Sequence, residues 1–334
     1  MFTFIKQQLI RASLMVVGIG MSLLLLECVR RVDLRIRKGV PLLTNPRSLW
    51  HETRGWIGKE HTLGATTDEP ILVLGDSFTD GLGVPSDKMW FSYLREAFPD
   101  RQIIAYGGLG YGTLQEAMML EEYRAKGVTP SLIVLQICSN DISNSYYPFE
   151  VGSQLQRPPA PRPYMEGDEV VVRFPRRFGA VLAPLISYSQ LAYMLNNRWD
   201  LMTVQWASEG KIDSIEYRIQ KTGYGDPLFR AASLATERLL EKFKAAAGTT
   251  PVVLMLVDDS EPYTGALRDI AGRVGLPIVV PQRLSPVASS GKLEDGAHLN
   301  EEGNRIVGQT FVRVAQERQL FSFRGLPTDV SGSR

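Results

Sequence analysis

The sequence predicts an α/β domain in which a parallel sheet is covered by helices on both faces. Three observations carry that prediction. Short apolar runs occur at Ile71–Gly75, Gln102–Gly108 and Leu132–Cys138, and similar runs return at Val252–Val257 and Pro277–Val280. The first three begin about 30 residues apart, the length of one strand–helix–strand unit. Between them, Trp90–Ala97 and Leu114–Lys126 carry apolar residues at helical spacing. Strands that are apolar throughout, rather than alternating, belong to sheets buried on both faces.

The elements follow in order. Residues 1–38 hold an uncharged apolar run, Ala12 to Leu26, with Lys6 and Arg11 before it. Glu27 and five basic residues, Arg30, Arg31, Arg35, Arg37 and Lys38, follow it. A membrane span wants about 20 residues. Extension to Val32 reaches that length if the flanking arginines snorkel to the headgroups. A cleaved signal peptide fits the basic start and apolar core as well, but Glu-Cys-Val-Arg-Arg offers no small-residue cleavage site. A buried helix of the domain is the third reading. The expectation is an uncleaved single-pass anchor through residues 12–32. Read literally, the positive-inside rule puts the domain in the cytoplasm. Short N-terminal tails often stay inside, however, and the rule has exceptions for long exported domains, so the domain is expected outside.

Residues 39–69, with Pro41 and Pro46, read as a linker and approach segment. The sheet-forming domain then runs from 70 to 322. Its rhythm breaks over 142–228, too long for a core connection of about 2–6 residues, and this stretch is expected to be an insertion forming a lid or side wall. Within it, Gln156–Tyr164 is proline-rich, Glu169–Phe174 reads as an isolated strand and Leu182–Trp206 as helix. A last helix, from about Glu301 to Gln319, has Asn300 as N-cap and two glutamates at its positive end. Residues 323–334 form a tail.

Composition removes several function classes. Thirty-seven Lys and Arg against 36 Asp and Glu leave a net charge of +1, so nothing marks a nucleic-acid partner. Two cysteines, Cys28 and Cys138, cannot build a disulfide framework or a Cys-rich zinc site. Only His51, His61 and His298 can serve a mechanism that needs an imidazole.

Four segments carry candidate chemistry, each at a strand end. After the first apolar run comes Gly75-Asp76-Ser77-Phe78-Thr79-Asp80-Gly81. A serine at a strand-to-helix turn stands at the carboxyl edge of a parallel sheet, where such folds place their sites; a plain N-cap is the bland reading. After the second run, Gly107 to Thr113 has glycines at 108, 110 and 112. That is G-x-G-x-G, which does not match a dinucleotide loop, whereas it suits a turn bringing a backbone N–H to a substrate oxygen. After the third, Cys138-Ser139-Asn140-Asp141 offers either a turn or a side-chain amide donor. Near the C-terminus, Asp295 precedes His298 by three residues on the loop entering a helix, and a carboxylate there can fix the imidazole tautomer. His51 and His61 read as surface or packing residues. Tyr146, Tyr147 and Phe149 line a substrate pocket or belong to the core.

Taken together, GDSFTDG, GGLGYG, SND and DGAH, in this order between Ile71 and about Arg318, resemble the SGNH or GDSL hydrolase superfamily. Arg162-Pro163-Tyr164 with Gly167-Asp168 resembles the insertion of its bacterial membrane-anchored members. The resemblance implies a flavodoxin-like three-layer α/β/α sandwich with a mainly five-stranded parallel sheet. It implies Ser77 as nucleophile, His298 as base and Asp295 orienting it. The oxyanion donors it implies are the N–H of Ser77, the N–H of Gly110 and the amide of Asn140. Cys138 stands where many members have glycine, and Ala105 where asparagine is common. No metal or organic cofactor is implied. The expected activity is hydrolysis of an ester on a small molecule, lipid or glycan through an acyl-enzyme. Its rivals are O-acyl transfer to an extracytoplasmic polysaccharide and a non-catalytic binding or assembly role on the same fold.

Overall fold

The computed structural model describes residues 2–45, 50–154 and 158–321. The expected tail and residues 155–157 of the proline-rich stretch lie outside them. The main sheet comprises β1 (Lys59–Leu63), β2 (Ile71–Gly75), β3 (Ile103–Gly107), β4 (Leu132–Ile137), β5 (Val252–Leu256) and β6 (Ile278–Val279), in spatial order β6-β5-β4-β2-β3-β1. Five strands are parallel, as expected, and β1 adds an antiparallel edge against β3.

β1 comes from the segment read as linker and approach. Its sequence, Lys-Glu-His-Thr-Leu, has no apolar run to announce it, and only His61 is fully buried. An edge strand half in solvent tolerates such a sequence because a single neighbour supplies its hydrogen bonds. His61 therefore belongs to the sheet. His61 packs beneath the sheet edge with Nδ1 2.7 Å from Ser86 Oγ and Nε2 3.2 Å from the Asp80 carbonyl. His51 is exposed.

Alternate residues of each strand enter opposite cores. Leu72, Leu74, Leu135, Leu254 and Leu256 join one core, under helices Thr113–Ala125, Pro227–Ala247 and Tyr263–Val274. Ile71, Val73, Val134, Val253 and Met255 join the other, under helices Ser92–Ala97 and Glu301–Glu317. These are the three layers. Asn300 caps the last helix, its side chain accepting the Gly303 N–H at 3.1 Å.

Within the insertion, Glu169–Arg173 is not isolated: it pairs antiparallel with Arg162–Glu166 across a turn at Gly167. The prolines around Arg162 hid that partner, since proline in a run argues against a strand. The expected long helix is two, Gly179–Tyr188 and Gln190–Ser208. Ser189 breaks them, in extended backbone with its side chain accepting the Ala192 N–H. Tyr146 and Phe149 join the core, and Tyr147 stacks edge-on to Tyr164. At the N-terminus, Phe2–Lys38 is one helix. Its part from Ile5 to Lys38 is long and apolar enough to cross a membrane; among the described residues its most apolar part is uncovered, whereas Leu34 near its end is buried.

Candidate active site

The chain leaves β2 toward β3 on one side of the sheet and returns to β4 on the other. Open α/β sheets form their crevice at such a reversal, beyond the carboxyl ends of the strands. The residues after β2, β3 and β4 carry three of the four sequence segments, and all meet there.

Gly75 ends β2, and Asp76 turns the chain into the short helix Ser77–Asp80. The Asp76 carboxylate accepts the Phe78 N–H at 2.8 Å, and its carbonyl accepts the N–H groups of Thr79 and Asp80. This helix lies directly against Gly107 at the end of β3, where a Cβ would stand 2.0 Å from the Asp80 nitrogen. Only glycine permits that approach.

Ser77 Oγ lies 2.8 Å from His298 Nε2, and His298 Nδ1 lies 2.5 Å from Asp295 Oδ2. The other Asp295 oxygen accepts the N–H groups of Ala297 and His298, each at 2.9 Å. Partial burial works to raise the Asp295 carboxyl, but hydrogen bonds from the imidazole and the two amides outweigh it and hold the group below the usual carboxylate range. The carboxylate thus fixes both the imidazole and the loop that carries it.

Three donors face no acceptor among the described residues: the Ser77 N–H, the Gly110 N–H and the Asn140 amide nitrogen. All three residues line one cleft of about 760 Å³ with His298 and Asp295. Gly110 has φ +68°, a left-handed conformation that other residues resist. Asn140 opens helix Asn140–Asn144. Its amide oxygen contacts the Cys138 thiol, which leaves the nitrogen as the free end. Cys138, one of the two departures from the resemblance, thus has a local role: its sulfur also lies 2.7 Å from Asp76 Oδ2, and its single S–H serves one of these two oxygens at a time.

Sequence reasoning missed the polar layer beneath the cleft. Asp76, Glu116 and Asp141 are removed from water, and Asp258 is half-buried at the cleft wall. Burial, then repulsion from Asp76, pushes the Asp141 carboxyl up to about 8. Burial likewise lifts Asp258 to about 6 and raises Asp76 and Glu116. Asp76, Cys138 and Asp141 bring ligand-type atoms within 4.8 Å of one another. All three are engaged internally, Asp141 accepting from Thr113 and from the Cys138 N–H at 2.9 Å each.

Arg162 was noticed in the sequence only as part of the resemblance. It is buried, and its guanidinium donates to the Gly110 carbonyl and, at 2.8 Å, to Gln115. Asn144 donates to the same carbonyl at 3.0 Å. Behind Arg162 lies the buried Glu150, 3.2 Å from its Nε, close in distance but misaligned for a hydrogen bond. Burial pushes Glu150 up to about 7, against the pull of Arg162 and the Tyr164 hydroxyl. The insertion hairpin therefore braces the glycine loop from behind. A proline-flanked arginine was the only trace of this in the sequence.

Among solved structures, TesA is similar at 12% identity and a TM-score of 0.43, over 76% of this chain and 100% of that one. The esterase EstA from Pseudoalteromonas sp. gives 12% and 0.41, over 75% and 98%. A member of the lipolytic protein G-D-S-L family from Veillonella parvula gives 13% and 0.40, over 74% and 98%. No curated protein matches by sequence. The sequence profile of the GDSL-like lipase/acylhydrolase family matches residues 73–306, well over half the chain. This protein belongs to that family of ester-bond hydrolases.

Proposed function

We propose that the protein is a serine esterase working through an acyl-enzyme, with Ser77 as nucleophile. The observation that carries this reading is the continuous chain Ser77–His298–Asp295, set beside three unpaired donors in one cleft. Ser77 Oγ attacks the ester carbonyl while His298 Nε2 takes its proton, and His298 returns that proton to the leaving alkoxide. Asp295 holds the proton on Nδ1, so that Nε2 is the free base. The Ser77 and Gly110 amides and the Asn140 side chain receive the oxyanion. Water activated by His298 then releases the acid. The His298 and Asp295 side chains are 24% and 41% exposed, and water reaching the base favours hydrolysis over transfer to a glycan hydroxyl. The substrate class that fits is a glycan or lipid ester.

Residues 12–32 anchor the chain in the membrane, with the catalytic domain outside the cytoplasm. The uncovered apolar helix at the N-terminus supports the anchor.

The test is covalent labelling of the full-length protein with a fluorophosphonate probe. Wild type should label and Ser77→Ala should not; equal labelling of the two removes Ser77 from the mechanism. Acyl release from aryl esters and acetylated glycans then sorts the substrates.

A further inference from the structure

The anchor helix does more than tether. Glu27 directly follows the last residue of its apolar run, and its carboxylate receives the N-terminus of the insertion helix Gln190–Ser208. It accepts the N–H groups of Gln190 at 3.0 Å and Leu191 at 2.8 Å, and the Ser189 hydroxyl at 2.8 Å. Arg31, one turn on and 2.6 Å from Glu27, donates to the Tyr188 carbonyl that ends helix Gly179–Tyr188. Two insertion helices are thus fastened to the point where the anchor's apolar run stops. For a helix spanning residues 12–32, that point lies in the last two turns of the span, close to the headgroups on the domain's side.

Both helices show water an apolar face. Val181, Leu185 and Tyr188 are 60%, 50% and 53% exposed, and Leu195, Trp199 and Met202 are 55%, 51% and 38% exposed. The spacing of four then three residues puts each trio on one helix face. Phe178, at 68% exposure, begins the first helix beside Arg177, whose guanidinium lies 5.0 Å over its ring. Aromatic and basic residues side by side suit the headgroup layer. A soluble domain gains nothing from two such stripes, whereas a helix lying in the bilayer interface needs one. The second helix also walls the cleft: Tyr193, Asn196, Trp199 and Thr203 line it together with Ser77. Trp199 belongs to both the exposed stripe and the cleft wall.

We propose that the apolar faces of these two helices rest in the bilayer interface beside the anchor. The Ser77 cleft then opens at the membrane surface and takes its ester from an amphiphile seated in the bilayer. This rests on the reading of residues 12–32 as a membrane anchor.

The experiment uses the full chain in nanodiscs, in a Cys28→Ser background, since Cys138 is buried. Single cysteines replace Leu185 or Leu195 and carry an environment-sensitive fluorophore. Leu24→Cys in the anchor and Leu234→Cys, on an exposed position of the helix Pro227–Ala247, serve as references. Lipids brominated high on the acyl chain should quench the labels at 24, 185 and 195 and spare the label at 234. Quenching at 24 without quenching at 185 and 195 overturns the docking and leaves the anchor standing. No quenching at 24 overturns the anchor reading itself. Labels at 185 and 195 shielded from both lipid and aqueous iodide mark a protein interface instead, and also overturn the docking.

The substrate half is read with the double variant Leu185→Glu/Leu195→Glu, which replaces no residue lining the cleft. Turnover of a vesicle-borne ester should fall about tenfold or more, the scale of losing one buried leucine, with a water-soluble aryl ester unaffected. Equal loss on both substrates, or loss on neither, overturns it.

Discussion

Asp295→Asn separates a designed proton position from mere proximity. In the wild type one carboxylate oxygen accepts two backbone amides at 2.9 Å and the other accepts His298 Nδ1 at 2.5 Å. Asparagine is nearly isosteric, and its carbonyl oxygen can keep both amides, so the loop should hold. Its NH₂ then faces Nδ1. A donor there forces Nδ1 to accept, which moves the imidazole proton to Nε2, the atom 2.8 Å from Ser77 Oγ. The base becomes a donor to the nucleophile it should deprotonate. A fully enclosed triad loses about 10⁴ in kcat on this change. Here the Asp295 side chain is 41% exposed, so water can compete for Nδ1 and recover some of the correct tautomer. The expected loss is therefore about 10²–10⁴, or ~2.7–5.5 kcal/mol of barrier. KM should change little, since the substrate touches neither atom. The assay is kcat and KM on an activated aryl ester, with melting temperature measured in parallel. A folded Asp295→Asn protein with kcat within about tenfold of wild type would refute the orienting role.

Three further outcomes follow. Asn140→Ala should lower kcat about 10²–10³-fold with KM nearly unchanged, because the donor matters once the carbonyl oxygen carries charge; a folded variant with near-wild-type kcat excludes an oxyanion role. Stability should fall as pH rises. The Asp141 carboxyl is lifted from 3.8 to about 8 in the fold, so between those values the native state holds a proton that the unfolded chain has released. Asp76, Glu116 and Asp258 are shifted in the same direction. Calorimetry from about pH 5 to about pH 9 should show a declining Tm and a shallower decline in Asp141→Asn, whereas a Tm that climbs across this window contradicts the buried acids. Finally, a reporter active only in the cytoplasm, fused after Arg334, should stay silent; activity there would place the domain where the five basic residues after the anchor point.

Much of the fold was legible because its signals are local. A strand buried on both faces must be apolar throughout, so β2 to β5 announced themselves in the sequence. A helix that follows such a strand must bury one stripe, and the 113–125 and 301–317 helices show it. The candidate site was legible for a related reason. Parallel topology sends the chain ends after β2, β3 and β4 to one edge, so Ser77, Gly110 and Asn140 had to be neighbours. With only three histidines, His298 was the one placed to join them.

The tertiary structure alone decided what depends on partners distant in sequence. β1 is a strand because β3 offers it an edge, which no pattern in Lys-Glu-His-Thr-Leu reveals. Arg162 matters because the insertion folds back and lays its guanidinium on the Gly110 carbonyl, 52 residues earlier in the chain. Glu27, which in sequence merely ends an apolar run, becomes the cap of a helix that begins 163 residues later. Each is a polar side chain whose energy is set by the one group it meets. Apolar periodicity is averaged over many contacts and survives in the sequence, whereas a single specific hydrogen bond leaves no pattern until the chain has folded.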